Sequence, residues 1–458
     1  MADRASSGSR PGDSSRDLFL GTIVVVSVAL VMLSTALGAR AIAVYPFDWG
    51  PDDGMALDWA ARLLHDAASL YPNPAQLSPT PEMYGPGLPA VLAPLWLIQQ
   101  PPLLLARLLM FGLLGLSWVA MYAIARRGAR VSLAAAAGAL ALARGDWVVF
   151  LLTVKADGLA LALWAVASWV VLPRRLERGS ETLSWTRIVA AGLLLVAGCA
   201  TKPTVAIVGA PLVLGWFVVD RTSALRLSFV LALLGATVVL WLQWISGGGY
   251  LLTMLQLTQH PWRPANFLTI PWRFVVAQLA AVTFALLPLF FKRVRTSALQ
   301  PGAVLFAAGG LAMVLLLGKH GAFQSYLMPL LFGLVAWGAC LWERLAPKMA
   351  APITAAAALA ITLLHPIPTP DQEAKNSAAA FYGFIDQVVQ PAGSRILALR
   401  PAWAYLSTGT PLEVDGVSFG YFAESRDPKA EPVLKRIAAA EYDIVVSDHD
   451  ILLSGLSI

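Results

Sequence analysis

Two adjacent carboxylates, Asp52 and Asp53, follow the first long apolar segment of this sequence. Near a low-dielectric surface such a pair can act as a general base, because burial raises a carboxylate's pKa, or it can bind a divalent metal ion. An alternative is a solvated acidic loop in which the two aspartates cap a helix over residues 55–64. The residue types alone leave both interpretations open.

Asp157 and Lys202 each interrupt apolar sequence at a predicted helix boundary. An ionisable group at the end of a membrane helix is a candidate for function, and Asp157 could equally cap the helix that follows it. Lys202 precedes Pro203, which suits the first turn of a helix, and the N–H groups of that turn favour an anion. Lys202 is therefore a candidate phosphate ligand, with a snorkelling lysine as the alternative.

A compact polar turn between two apolar runs contains Lys319, His320 and Tyr326. His320 is a candidate acid–base group or metal ligand, although a lone histidine is more often structural. His260 and Arg263 lie in an earlier polar loop and could contribute to the same site.

The sequence contains no HExxH-like or CxxC-like spacing, so it does not strongly indicate a metal site. If a divalent metal is used as a cofactor, Asp52 and Asp157 are the ligands that we expect. Asp146 is expected to pair with Arg144, two residues before it.

The composition predicts the elements that must position these residues. The chain has 458 residues, of which 58% are hydrophobic and 13% are charged, and its mean hydropathy is +0.67. Repeated apolar runs of roughly 15–22 residues predict an all-α polytopic membrane protein with about 11–12 transmembrane helices. This composition excludes a soluble protein. In a membrane protein Lys and Arg indicate the topology first, so the net charge of +6 does not indicate nucleic-acid binding. Cys199 and Cys340 lie in apolar runs, where small apolar cysteines pack between helices.

Basic clusters predict a multi-pass topology in the cell membrane, because Lys and Arg are enriched on the cytoplasmic side. Two apolar runs fit between each neighbouring pair of clusters, among them 205–219 and 274–291. The predicted outside connections include a turn at 144–157 and a long loop at 246–273. This topology assigns residues 1–17 to a cytoplasmic tail, 18–364 to the membrane domain and 365–458 to a small soluble α/β domain outside. The first run is too long for a signal-peptide core and is interpreted as a retained helix. The clusters are Arg126, Arg127 and Arg130; Arg174, Arg175 and Arg178; Arg221 and Arg226; Lys292, Arg293 and Arg295; Arg344 and Lys348.

The short apolar segment at residues 88–98 decides this topology. It contains Pro89 and Pro94, and it is shorter than the roughly 17 residues that a full crossing needs. We interpret it as re-entrant or interfacial, with residues 103–125 returning to the cytoplasmic side. A full crossing would place every later loop on the other side.

On this topology the loop at residues 45–88 lies outside and carries six acidic residues. We assign Asp48, Asp58, Asp66 and Glu82 to capping or surface positions. Seven cations also lie outside, where anionic lipid head groups or a phosphate ligand would account for them. They are Arg62, Arg144, Lys155, Lys202, Arg263, Arg273 and Lys319.

The α/β pattern of the tail rests on two predicted strands, 394–399 and 442–447, and two predicted helices, 401–407 and 428–440. The tail has no glycine-rich phosphate fingerprint, so we assign it no nucleotide site.

The order of these motifs resembles the GT-C superfamily of polytopic glycosyltransferases that use lipid-linked sugars. The acidic pair after the first helix, Tyr84-Gly-Pro-Gly-Leu88, Asp157, the Lys202-Pro-Thr turn and the late turn ending at Tyr326 carry the resemblance. The nearest branch is the protein O-mannosyltransferase and aminoarabinose-transferase group, with bacterial relatives that act on lipopolysaccharide cores. This sequence departs from the pattern in having Asp-Asp for Asp-Glu and Tyr-Gly-Pro-Gly-Leu for Tyr-Pro-Pro-Leu.

The resemblance implies a polyprenyl-phosphate sugar as donor, and a hydroxyl of a glycan, lipid or protein as acceptor, on the outer face of the membrane. It implies that Asp52 or Asp53 deprotonates the acceptor hydroxyl, which attacks the anomeric carbon with inversion, while Asp157 positions the acceptor or a metal. Further groups are assigned to the substrates. Donor-phosphate ligands are Lys202, Lys319, Arg263 and Arg144, and pocket candidates are His320, Tyr326, Tyr84 and His260.

Two other classes of protein fit the composition. A transporter or lipid flippase would be expected to show internal repeats and charges near the middle of its spans. We find no such repeat, and the charges cluster in loops. A non-catalytic assembly or receptor protein is the third hypothesis.

Overall fold

The computed structural model of the chain is almost entirely helical. It describes residues 11–45, 51–65, 67–71, 84–99, 102–173, 179, 181–257, 262–291, 301–319, 324–369, 372, 375–376, 396–398 and 444–446. The helices are α1 Pro11–Ala43, α2 Pro51–His65, α3 Gly87–Leu92, α4 Leu103–Ala125, α5 Val131–Leu142, α6 Gly145–Leu152, α7 Ala156–Val171, α8 Trp185–Thr201, α9 Val205–Val219, α10 Arg221–Ile245, α11 Gly249–Leu257, α12 Pro264–Ala277, α13 Leu279–Leu286, α14 Pro301–Ala312, α15 Met328–Leu345 and α16 Pro347–Leu364. Short 3₁₀ helices occupy Ala67–Leu70, Ala93–Leu97, Leu287–Phe290, Met313–Leu316 and Gln324–Leu327.

Four helices in the described part of the chain are long and apolar enough to cross a membrane. They are Ser15–Ala43, Leu103–Ala125, Arg221–Ile245 and Ser325–Leu345. Two bent pairs, α5 with α6 at 81° and α12 with α13 at 85°, raise the number to six if each pair is one span. Most of the other helices are shorter but also apolar. The prediction of a helical, multi-pass membrane domain is therefore confirmed.

The loops gather at two opposite ends of the helix bundle. At one end Arg127 donates a hydrogen bond to the carbonyl of Leu172, and the Arg130 guanidinium pairs with Glu343 at 2.8 Å. We call this the basic end. At the other end the N–H of Gly145 donates to the carbonyl of His365. We call this the loop end, and the residues that could do chemistry lie there.

The segment 88–98 does not cross the bundle. It forms α3 and one 3₁₀ turn, Ala93–Leu97, whose helical rises add up to about 19 Å, against about 30 Å for a hydrocarbon core. The indole of Trp96 donates to the carbonyl of Leu57 in α2, so the segment packs under the loop. Both of its ends lie at the loop end, because Tyr84 precedes it beside Lys202 and Arg107 follows it beside Tyr45. The segment therefore does not span the bundle, which agrees with the interpretation as re-entrant or interfacial, and its place relative to a membrane stays a prediction.

Three predictions of local structure were wrong. The segment predicted as a loop at 246–273 contains α11 and most of α12. The turn predicted at 144–157 contains α6. The span predicted at 274–291 bends sharply at Gln278, which is buried within it. In each case apolar residues continue through a helix break, and hydropathy does not report where a helix changes direction.

Aromatic and small residues from α5, α7, α9, α14 and α15 fill the core. Trp164 stacks on Phe306 with ring centroids 4.4 Å apart and donates to the carbonyl of Val208. In the tail, β1 Ile396–Ala398 and β2 Ile444–Val446 lie within the two predicted strands and pair in parallel. The predicted helices at 401–407 and 428–440 lie outside the described residues, and the α/β domain stays a prediction.

Candidate functional site

A buried ion pair fixes the acidic loop to the helix bundle. The Arg107 guanidinium contacts Asp53 Oδ2 at 2.6 Å and donates to the carbonyls of Ile42 and Tyr45, at 2.9 and 2.6 Å. Asp53 Oδ1 accepts from the backbone N–H of Val154 at 2.7 Å. The side chains of Asp53 and Arg107 are 0% and 1% exposed. We call this pair the latch, because it joins the end of α1, the start of α2, α4 and the turn before α7.

The latch separates the roles of the two adjacent carboxylates. Asp53 lies in the first turn of α2, which begins at Pro51, so the two aspartates do not cap a helix that starts at Met55. Both oxygens of Asp53 are hydrogen-bonded and hidden from solvent, which suits a positioning residue. Asp52 belongs to the same turn of backbone, and its side chain lies outside the described residues.

A second buried ion pair forms the centre of the candidate site. Lys202 Nζ contacts Asp157 Oδ1 at 2.7 Å, and Lys202 is 3% exposed. The ammonium also lies 4.2 Å from the ring centroid of Tyr326 and 5.3 Å from that of Tyr84, within cation–π range. Ser325 lies beside the Asp157 carboxylate. Four separate segments of the chain therefore meet at one lysine.

The charge of Lys202 is maintained by these neighbours. Burial by itself lowers the pKa of Lys202, but the Asp157 carboxylate and the two phenols outweigh it and raise the pKa above its ordinary value. Asp157 is the second residue of α7, and Lys155 occupies the N-cap position, so the interpretation of Asp157 as a helix cap is wrong. A small cavity of about 30 Å³ adjoins Asp157, Lys202 and Tyr326.

Two glycines bring Tyr84 over Lys202. A Cβ on Gly85 would lie 1.8 Å from the carbonyl oxygen of Ala200, and one on Gly87 would lie 2.3 Å from the Thr201 hydroxyl. The Tyr-Gly-Pro-Gly-Leu sequence thus lies directly against the end of α8. This close approach leaves no room for a side chain at either glycine.

A second lysine approaches from the polar turn before α15. Gly318 accepts a hydrogen bond from the N–H of Arg263 at 2.5 Å, and Trp262 and Lys319 form an antiparallel bridge. A Cβ on Gly318 would lie 1.9 Å from the Trp262 ring. Burial, and then the charge of Lys202, lower the pKa of Lys319. Backbone contacts bring the segments that carry Arg263 and Lys319 together, and the binding of one phosphate by these residues and Lys202 stays a prediction.

Arg144 is engaged elsewhere at the loop end. Its guanidinium binds Asp146 through Nε and Nη2, at 2.9 and 2.5 Å, and donates from Nη1 to the carbonyl of Ala277. The predicted pairing of Arg144 with Asp146 is confirmed. Because this pair bridges the bends at α5–α6 and α12–α13, a phosphate would have to compete with Asp146 for the arginine.

Asp58 was assigned to a capping or surface position, and that assignment is wrong. It is 1% exposed and lies 2.6 Å from the Arg62 guanidinium, one turn along α2. Burial, opposed by the Arg62 charge, raises the pKa of Asp58 to about 6. Helix α2 is therefore buried even on the face that carries Asp58 and Arg62, and its amphipathic pattern did not predict this.

Several predicted residues fall outside the part of the chain that the structure describes. They are His260, His320, Asp48, Asp66 and Glu82. Within the described part, no three His, Cys, Asp or Glu side chains are grouped so as to hold a metal ion.

Sequence reasoning missed Arg107 and the contribution of Lys155. An arginine inside the apolar run of α4 is itself a signal, since charges in membrane spans are retained for a reason. Lys155 lies 5.7 Å from the Phe150 ring centroid and acts electrostatically on Asp157.

Comparison with known proteins gives the fold. No family model matches the sequence, and no curated protein matches it. The structure is similar to that of ArnT, an aminoarabinose transferase, from Cupriavidus metallidurans in the apo state, with a TM-score of 0.56 and 15% identity over 90% of each chain. It is also similar to an oligosaccharyltransferase from Archaeoglobus fulgidus in the apo form, with a TM-score of 0.52 and 12% identity over 93% of this chain and 70% of that one. The chain therefore shares the GT-C fold of these two structures.

Proposed function

We propose that this protein is an inverting membrane glycosyltransferase that moves a sugar from a polyprenyl-phosphate donor to an acceptor hydroxyl, on the outer face of the cell membrane. The observation that carries the proposal is the buried Lys202–Asp157 pair between Tyr84 and Tyr326, with Lys319 beside it. The fold shared with ArnT supports a transferase of this class.

The charges at this site suit a phosphate leaving group. Lys202 and Lys155 act electrostatically on the Asp157 carboxylate, and Lys319 adds a third ammonium group that acts on Lys202. A polyprenyl-phosphate sugar carries one negative charge as a diester, and the phosphate gains charge as the glycosidic bond breaks. Fixed cations at a water-poor site stabilise that developing charge more than they stabilise the bound donor. Arg263, next to the Trp262–Lys319 bridge, would add to the same field.

Asp52 is the proposed general base. Asp53 is committed to Arg107 and to the N–H of Val154, so the adjacent carboxylate is left for proton transfer. Through Val154, Asp53 would fix the turn that carries Lys155 and Asp157. Asp157 would orient Lys202 and the acceptor, and the acceptor oxygen would attack the anomeric carbon on the face opposite the departing phosphate.

The proposal can be tested with the donor that cells would accumulate without this protein. Deletion of the gene should cause a polyprenyl-phosphate sugar to build up in extracted lipids. Purified wild-type protein, added with membranes that contain the acceptor, should consume that lipid, as measured by mass spectrometry. An unchanged lipid pool after deletion, together with no consumption by purified protein, would refute a polyprenyl-phosphate transferase and favour the transporter hypothesis.

Variants connect the activity to the site. Lys202→Met and Lys319→Met should each raise the donor KM by about tenfold to a hundredfold, since a hydrogen bond to a charged group contributes about 1.5–3 kcal/mol. Lys348→Met is the matched control, because Lys348 is 66% exposed and pairs with Asp17 at the basic end. An unchanged KM in both site variants would show that Lys202 and Lys319 do not bind the donor phosphate.

A further inference from the structure

A buried tyrosine beyond α2 contacts the candidate site through one hydrogen bond. Tyr71 follows the 3₁₀ turn Ala67–Leu70, and its side chain is 1% exposed. Its hydroxyl donates to the backbone carbonyl of Tyr84 at 3.2 Å. The ring of Tyr84 in turn lies over the Lys202 ammonium, with Nζ 5.3 Å from the ring centroid. Tyr71 is therefore linked to Lys202 through a single intervening residue.

Packing fixes the ring of Tyr71. Tyr250 of α11 meets it edge to face, with ring centroids 5.0 Å apart, and such pairs stabilise a contact beyond the apolar area that they bury. The two tyrosines belong to a buried cluster, called here the tyrosine cluster, which α2, α10 and α11 build around them. Since side chains in a close-packed core occupy one rotamer, the hydroxyl oxygen of Tyr71 is held in one place. The other members of the cluster are Met55, Trp59, Leu70, Leu242 and Met254.

Tyr84 is held from two sides. On one side Gly85 and Gly87 lie against the end of α8, where no side chain would fit. On the other side its carbonyl accepts from Tyr71. The chain between the two tyrosines, residues 72–83, lies outside the described residues. Because the hydrogen bond joins the two ends of that stretch, the position of Tyr84 does not depend on the stretch alone.

This arrangement gives Tyr71 an indirect relation to the chemistry. Its side chain is buried and its hydroxyl binds a backbone carbonyl, so it supports Tyr84 and does not face a substrate. Asp157 and Tyr326 contact the Lys202 ammonium from other directions. A displaced Tyr84 would leave the ammonium with fewer fixed contacts. Small displacements of a binding group reduce its effect on a bound substrate, because the contacts must be held in the productive geometry.

We propose that Tyr71 is a positioning residue for the transfer reaction, which holds Tyr84 over Lys202 and so keeps the ammonium directed at the donor phosphate. This inference rests on the proposed function, because it takes Lys202 to bind that phosphate. It adds that the tyrosine cluster, which lies outside the site, controls how well the donor binds.

Tyr71→Phe is the direct test, because it removes the hydroxyl and keeps the ring in the cluster. Losing one hydrogen bond between neutral groups changes an equilibrium constant by about twofold to tenfold. In full-length protein in lipid nanodiscs, the KM for the polyprenyl-phosphate sugar should rise by about that factor, with kcat within about twofold of the wild type. Tyr122→Phe is the matched control, since Tyr122 is a partly buried tyrosine that stacks on Trp118 in α4.

The split between KM and kcat separates positioning from a merely structural role. Loss of folded protein lowers the apparent kcat and leaves KM unchanged, because the remaining folded molecules bind the donor normally. The second measurement repeats Tyr71→Phe in a Lys202→Met background. If Tyr71 acts through Lys202, it should change the donor KM there by less than about twofold.

Two results would overturn the inference while the wild type still consumes the donor. One is a KM in Tyr71→Phe equal to that of Tyr122→Phe, and the other is an equal rise in KM with and without Lys202. Failure of the wild type to consume the donor would instead refute the proposed function.

Discussion

Replacing Asp53 and Arg107 separately and together tests whether this pair positions the site or performs its chemistry. Asp53→Asn keeps an oxygen that can accept from the N–H of Val154 but leaves the Arg107 charge buried at 1% exposure. Removing one member of a buried pair costs about 3–5 kcal/mol, because the remaining charge has lost its counter-charge. We place Asp53→Asn near the lower limit, since the carbonyls of Ile42 and Tyr45 still accept from Arg107.

Arg107→Met should be the more damaging of the two changes. It takes the buried counter-charge away from the Asp53 carboxylate, and it removes the donor from the carbonyls of Ile42 and Tyr45. Each buried carbonyl left without a donor costs a further 1–3 kcal/mol, roughly. The double variant should be no less stable than Arg107→Met alone, which corresponds to a coupling energy of about 3 kcal/mol or more. Denaturation equilibria in mixed micelles would measure all three variants against the wild type.

Activity then separates positioning from catalysis. Measured per folded molecule, Asp53→Asn should retain donor consumption within about tenfold of the wild type, while Asp52→Asn should lose about a hundredfold to ten-thousandfold, the usual contribution of a general base, with wild-type stability. The reasoning is refuted if Asp53→Asn unfolds like the wild type but loses transfer, since Asp53 would then be the base and the latch would contribute nothing to stability.

Two further predictions concern the loop. Because the pKa of Asp58 is raised to about 6 by burial, the protonated carboxyl favours the folded state, and this contribution is lost as the pH rises from about 4 through 6. Between pH 4.5 and 7 the unfolding free energy should therefore fall by about 2 kcal/mol more in the wild type than in Asp58→Asn, and equal pH profiles would contradict the burial. A methyl group at position 85 would clash with the Ala200 carbonyl, so Gly85→Ala should move Tyr84 away from Lys202 and lower transfer by roughly tenfold or more, whereas Gly112→Ala should not. Equal rates would show that the close approach is unnecessary.

Most of the fold could be predicted from apolar runs and charge distribution. The limits of α4 and α9 agree with the predicted segments. Arg130, which follows α4, pairs with Glu343 near the end of α15. The bends at Gly145 and Gln278 could not be predicted, because they depend on what packs against the helix rather than on its hydropathy.

The sequence indicated which residues lie on the same side as the candidate site, but it did not indicate which of them form ion pairs. Charge and order in the chain indicated that Asp157, Lys202 and Tyr326 lie at the same side, and the structure brings them into contact. Sequence reasoning treated Asp52 and Asp53 as one unit, because nothing local distinguishes them. The distinction depends on Arg107, which is distant in the chain and is buried only when α4 packs beside α2.

The two buried pairs differ in a way that bears on which of them binds substrate. A buried ion pair is weak evidence for stability, because desolvation offsets most of the attraction. Arg107 donates to Asp53 and to two carbonyls, as a structural cation does. Among the described residues Lys202 donates only to Asp157, and its ammonium otherwise faces the rings of Tyr84 and Tyr326. An ammonium has three N–H donors, and the contact with Asp157 uses one of them, so Lys202 keeps capacity for an anion. A phosphate at Lys202 would replace weak ring contacts with charge-assisted hydrogen bonds without breaking the latch, so an anion could bind and leave while the loop stays in place.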